Sequence, residues 1–239
     1  EVVFSHTQWL AGSGIGINSV AASQSVGNAG VIGAYFSGLS IGDIPITTID
    51  NPDGGLGTFS PSYLNLGVSY GRQMVPDRIS VGITVKIVNE GITDASATGV
   101  AFDAGVQYAS RPREGEESGR FKLGVVLRNV GPTMRYSGDG LALRADLGGL
   151  NSNFSSAVRT EAEGFELPSQ LLVSASYDLN FGEQVDSVSN TTTGFEHRFT
   201  PTFTFISNAF SYDQYGLGME YGWNDMLMVR AAYVYEQDL

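Results

Sequence analysis

Six charged side chains sit where an alternating sequence leaves little else that is polar and large. Lys86, Asp103, Arg128, Asp178, Glu220 and Arg230 each fall opposite an apolar stripe, among glycine, serine, threonine and alanine. Charges of both signs gathered on one face can neutralise one another in a hydrogen-bonded ion-pair network or line a path for a polar solute. Covalent catalysis would need a nucleophile beside a base, and the two histidines, His6 and His197, stand in no recognisable nucleophile context. Two histidines are also a weak basis for a metal site. With no cysteine in the chain, thiolate metal sites, disulfides and cysteine nucleophiles are excluded. Asp43, Asp50, Asn51 and Asp53 imitate a calcium loop, but the EF-hand spacing and its closing glutamate are missing. Gly12-Ser13-Gly14-Ile15-Gly16 precedes no helix whose N-terminus could take a phosphate. The expectation is a protein that is not an enzyme, with no catalytic residue, cofactor or metal.

The elements that place these charges are long strands. From Arg78 to Glu90, Ile79, Val81, Ile83, Val85 and Ile87 fall on one face and Ser80, Gly82, Thr84 and Lys86 on the other. The same period of two recurs in Leu64, Leu66, Val68 and Tyr70, in Phe102, Ala104, Val106 and Tyr108, and in Phe121, Leu123, Val125 and Leu127. It returns in Leu171, Val173, Ala175, Tyr177 and Leu179, in Tyr215, Leu217, Met219 and Tyr221, and in Leu227, Val229, Ala231 and Tyr233. A soluble sandwich alternates too, but its strands usually have about 5–6 residues, whereas a tilted strand crossing a bilayer needs about 9–11. A soluble sandwich also turns lysine toward water, and this chain has only Lys86 and Lys122. Aromatic residues near strand ends, namely Trp9, Tyr70, Tyr108, Phe181, Trp223 and Tyr235, suit the two membrane interfaces. The pattern predicts an all-β, antiparallel transmembrane β-barrel in the bacterial outer membrane, with about eleven strands visible.

The predicted strands are 2–9, 14–24, 28–38, 61–73, 77–90, 97–110, 118–130, 168–180, 195–207, 212–223 and 226–237. Val75-Pro76-Asp77 and Trp223-Asn224-Asp225 read as the tightest connections, and strand alternation puts both at one end. The long segments 39–60 and 131–167 fall at the other end and should face outside the cell. Residues 1–239 read as a single barrel domain with at least one strand outside the sequence, since bacterial single-chain barrels have an even strand number. The start at Glu1 without Met reads as a trimmed chain, lacking an N-terminal segment and the final strands. A net charge of −12 argues against nucleic acid. The lipid bilayer is the expected partner. Segment 131–167 also carries Leu141, Leu143, Leu147, Leu150 and Phe154, more apolar bulk than a solvating loop needs, which favours folding back over the barrel mouth or docking on a protein partner.

Phe4-Ser5-His6-Thr7-Gln8-Trp9-Leu10-Ala11-Gly12, Gly42-Asp43-Ile44-Pro45 and Leu66-Gly67-Val68-Ser69-Tyr70 are followed by three further segments. These are Gly82-Ile83-Thr84-Val85-Lys86, Ala101-Phe102-Asp103-Ala104-Gly105 and Arg128-Asn129-Val130-Gly131-Pro132-Thr133-Met134-Arg135-Tyr136. In this order the chain resembles PorV/PorQ-type outer-membrane proteins, a FadL-like barrel family associated with type IX secretion in Gram-negative bacteria. The resemblance covers roughly residues 1–136. It implies a barrel of about 14 strands in the full-length protein. It further implies a function in protein transport, binding secreted cargo or the translocon barrel through the extracellular loops. Two alternatives stay open: a FadL-like transporter of a hydrophobic small molecule, and a structural barrel in an envelope assembly.

Overall fold

A computed structural model describes residues 1–9, 12–110, 119–146, 155–159, 161–185, 192–224 and 226–236, with backbone alone for 143–146, 155–159, 183–185 and 192–194. The strands are β1 (Val2–Trp9), β2 (Ile15–Ser25), β3 (Val31–Ser40), β4 (Ile44–Pro45), β5 (Thr58–Phe59), β6 (Ser62–Val75), β7 (Ile79–Ile92) and β8 (Ala95–Ala109). They continue with β9 (Arg120–Val130), β10 (Tyr136–Ser137), β11 (Ala142–Asp146), β12 (Ser155–Arg159), β13 (Gln170–Val185), β14 (Thr192–Asn208), β15 (Gln214–Trp223) and β16 (Leu227–Glu236). Twelve of these form one sheet in the order β1-β2-β3-β6-β7-β8-β9-β13-β14-β15-β16, with β10 added beside β8. Each strand of the path follows its sequence neighbour among the long strands, as an antiparallel meander does. The path has two ends, β1 and β16, and is not a ring among the described residues.

All eleven strands expected from alternation are the eleven of this path, with boundaries shifted by a few residues. Their lengths run from 8 residues in β1 to 17 in β14. Two expectations about connections and faces are corrected. The shortest link is Thr93-Asp94 between β7 and β8, which lies at the same end as the long segments; the Pro76 and Asn224 turns have three residues each. Those turns close by placing Asp77 and Asn224 at φ of 57° and 50°, a left-handed conformation that short side chains with local acceptors tolerate. Trp9, expected at a membrane interface as a strand-end aromatic, is paired with Ile15 and so shares the face of Ser19, Ser37 and Tyr35.

The chain divides into two compact units. The first comprises Glu1–Tyr70, Thr84–Phe102 and Val130–Leu167, and the second Gly71–Ile83, Asp103–Asn129 and Pro168–Leu239. In both, large apolar side chains of the long strands are exposed. Along β7, Val85 and Ile87 are 44% and 46% exposed, while Lys86 and Val88 between and beside them are 2% exposed. Paired hydroxyls run across the opposite, polar face: Ser19 with Ser37 and Ser69 with Thr84 in the first unit, and Ser174 with Thr204 in the second, each at 2.8 Å. In the first unit the Tyr35 ring lies across Gly67, where a Cβ would stand inside the ring, and its hydroxyl donates to Asn65 Oδ1 at 3.0 Å.

Candidate functional site

The polar face of the second unit carries two charge clusters, each built across neighbouring strands. On β9 and β13, directly paired residues share a face, so Lys122 opposite Ser176 lies beside Asp178. Lys122 Nζ meets Asp178 Oδ2 at 2.6 Å, and Thr200 Oγ1 on β14 donates to Asp178 Oδ1 at 3.0 Å. Asp178 is buried, so these two partners replace water on its carboxylate. Across β14, β15 and β16, Glu220 accepts from Arg230 Nε at 2.5 Å and from Arg198 Nη2 at 3.4 Å. Glu220 and Arg230 are register partners, which places them opposite each other on adjacent strands. Asp103 accepts the backbone N–H of Asn129 at 2.7 Å, beside the point where β9 turns out of the sheet with Asn129 at φ of 59°.

Of the six charges expected on the polar face, Glu220 and Arg230 are brought together directly, and Asp178 is paired with a lysine outside that set. Arg128 is exposed near the end of β9, and Lys86 is buried in the first unit. Lys122, Arg198 and Thr200 are the partners that the six-residue set left out. Their parity was the available signal: Lys122 alternates with Phe121 and Leu123, and Arg198, Thr200, Thr202 and Thr204 alternate with Phe199, Pro201, Phe203 and Phe205.

In the first unit a returning chain segment fills the polar face. After β9 ends, β10 takes up the hydrogen-bonding edge of β8, pairing Tyr136 with Ala97 and Ser137 with Ser96. Met134 and Phe165 exchange two backbone hydrogen bonds of 2.8 Å, tying the two ends of segment 131–167 together. Met134 and Leu167 are thereby buried against Val88, Ala97 and Ala101, with Tyr63, Tyr136 and Phe165 around them. Small residues on β8 make the room: a Cβ at Gly99 would overlap the Met134 side chain. Tyr136 stacks on Phe165 with ring centroids 5.3 Å apart, and its hydroxyl donates to Glu90 Oε2 at 2.9 Å. That hydrogen bond, with some burial, raises the Tyr136 pKa above the usual phenol value.

Among the described residues the segment folds back through Met134, Tyr136, Phe165 and Leu167. Leu141 ends a short 3₁₀ turn, Asp139–Leu141, and is partly buried. Leu143 lies on β11, which pairs with β12 as a hairpin, and its side chain lies outside the described residues, as do Leu147, Leu150 and Phe154. Segment 39–60 likewise carries a hairpin of β4 with β5, with Ser60 hydrogen-bonded to Asp43 and Ile46 N donating to Gly57 O at 2.9 Å.

The histidines lie in separate units, and each bonds a strand neighbour through Nδ1: His6 with Asn18 Oδ1 at 2.8 Å and His197 with the Tyr221 hydroxyl at 2.7 Å. His197 also stacks between Phe181 and Tyr221 in an aromatic row with Trp223 nearby on the same face. Among the described residues no group of three or more His, Asp or Glu could hold a metal. No protein-family model and no curated protein matches the chain.

Proposed function

We propose that the chain is a non-enzymatic outer-membrane β-barrel of the PorV/PorQ type, whose sheet crosses the bilayer and whose segments 39–60 and 131–167 bind a protein partner, either secreted cargo or a translocon barrel. The single observation that carries the membrane reading is the inverted burial on β7, where Lys86 is hidden between exposed Val85 and Ile87. In water each half-exposed aliphatic side chain forgoes part of the roughly 1.5–3 kcal/mol that full burial contributes, a loss that lipid chains remove. An outward lysine near the bilayer centre would cost about 2–4 kcal/mol, which this arrangement avoids. Strands of 10 to 16 residues, as in β3, β6, β7 and β13, are long enough to cross a bilayer while tilted. The family assignment rests on the ordered sequence segments between Phe4 and Tyr136.

The recognition reading rests on how the two long segments are built. Both lie at one end of the strands by alternation, both contain hairpins, and segment 131–167 is anchored at its root by Met134 and Phe165. A hairpin held at its base keeps its shape without a partner, and loops on a rigid scaffold commonly carry binding. Affinity capture from detergent-solubilised outer membrane, using the wild type and a deletion of 141–160, tests this. The wild type should recover a protein partner that the deletion loses while remaining folded by heat-modifiability on a gel. Equal recovery by both would remove this segment from the binding role. Recovery of a hydrophobic small molecule with no protein would favour the FadL-like transporter.

A further inference from the structure

At the short-turn end of β6 and β7, the polar face of the second unit holds a pocket of about 250 Å³ lined by Gln73, Asp77, Arg78, Gln107, Arg120 and Lys122, together with Ser80 and Ala109. Arg78, Arg120 and Lys122 line it with the Asp77 carboxylate, and Lys122 is already paired with Asp178 at 2.6 Å. Arg120 Nη2 donates to the backbone oxygen of Asp77 at 2.5 Å, and Arg78 Nη2 donates to the Tyr108 hydroxyl at 3.4 Å, with its guanidinium 5.9 Å from the ring centroid. These contacts fix one side of each guanidinium. The Nε atoms of both arginines are buried, and neither has a hydrogen-bond partner among the described residues. A buried donor left unpaired costs about 1–3 kcal/mol, and two in a single pocket call for a common acceptor.

We infer that this pocket is a binding site for a phosphate group. The edge formed by Nε and one Nη of an arginine presents two parallel donors, the geometry that takes two oxygens of a tetrahedral oxyanion. Two such arginines, with the amides of Gln73 and Gln107 at the same wall, supply more donors than the Asp77 carboxylate can use, while Lys122 is engaged by Asp178. The inference does not depend on what segments 39–60 and 131–167 bind. A free phosphate ion and a lipid headgroup share this chemistry.

Calorimetric titration of the full chain in a non-ionic detergent separates the possibilities, with inorganic phosphate in one arm and dihexanoyl phosphatidylglycerol in the other. The wild type should bind at least one of them at a single site with a dissociation constant below about 1 mM. Affinity for inorganic phosphate alone assigns a free ion, and tighter binding of the lipid assigns a headgroup. Arg78→Gln and Arg120→Gln should each weaken binding about tenfold or more. Arg120→Lys, which keeps the charge and the fold but loses the planar fork, should also weaken it. No binding by the folded wild type overturns the site, as does unchanged affinity in all three variants. The acidic residues Glu114, Glu116 and Glu117 belong to the connection between β8 and β9, two of the four strands that line the pocket. If binding emerges only when all three are changed to Gln, the chain's own carboxylates occupy the pocket and the inference fails.

Discussion

The two units present the same sort of polar face and fill it in opposite ways. In the first, small residues on β8 (Ala97, Gly99 and Ala101) leave a trough, and Met134 and Leu167 from a returning segment occupy it. In the second, longer side chains on β9, β13, β14, β15 and β16 meet across strand pairs, Lys122 with Asp178 and Glu220 with Arg198 and Arg230. The difference shows that residue size on the polar face decides what fills it. Where that residue is glycine or alanine, another piece of chain must come in; where it is charged, a neighbour of opposite sign suffices.

The largest effect should come from emptying the trough. Met134→Ala removes a side chain that is 1% exposed and should cost about 2–5 kcal/mol of unfolding free energy. Urea unfolding after reconstitution measures it. Gly99→Val should act in the same direction by evicting Met134, at about 1–3 kcal/mol. A loss below about 0.5 kcal/mol in both would mean that the returning segment does not hold the first unit together.

A smaller loss is expected in the second unit, where no packed volume is removed. Asp178→Asn keeps the shape but strips the charge that Lys122 faces, and should cost about 2 kcal/mol. Smaller still is Arg230→Gln, because the Arg230 side chain is 68% exposed and Arg198 still faces Glu220. About 0.2–1 kcal/mol is expected. The pair Arg230→Gln with Glu220→Gln should lose less than the sum of the two single changes, and strict additivity would mean that the two side chains are not coupled.

The smallest effect is on alkaline stability. Because the folded-state pKa of Tyr136 is raised, its contribution is present in full below the unfolded value of about 10 and is lost as pH rises through the folded value. The wild type should therefore lose stability above pH 10 more steeply than Tyr136→Phe, which has no phenol to ionise. Parallel pH profiles for the two would show that the Tyr136 hydroxyl and Glu90 do not support the segment.

Strand identity was legible because alternation with period two is a local signal, written directly in runs such as Ile79 to Ile87. The turns at Asp77 and Asn224 were legible for the same reason, through residues that accept positive φ. Pairings between distant pieces of chain were not. Nothing local in Thr133-Met134-Arg135 marks Met134 as a core residue, since its burial depends on Gly99 on a neighbouring strand and on Phe165 some thirty residues later. Of the five apolar residues singled out by type in segment 131–167, only the Leu141 side chain is among the described residues, and Met134, Phe165 and Leu167 carry the contacts seen there. The charge set was half readable: parity gave the face of Asp178 and Glu220, but only register across β9, β13 and β14 brings Lys122 and Thr200 to Asp178. Trp9 shows the limit of reading aromatics by nearness to a strand end, because parity puts it on the face of Ser19 and Ser37.

The exposed apolar face is proposed to meet lipid. Spin labels placed one at a time along β7 in lipid vesicles, from residue 80 to residue 87, test it by their accessibility to oxygen and to a water-soluble nickel chelate. Oxygen maxima are expected at Val81, Ile83, Val85 and Ile87, with minima between them, and the same behaviour at Leu123, Val125, Leu217 and Met219. Nickel maxima at those positions would contradict it and would make the exposed apolar stripe a surface that faces water or another protein.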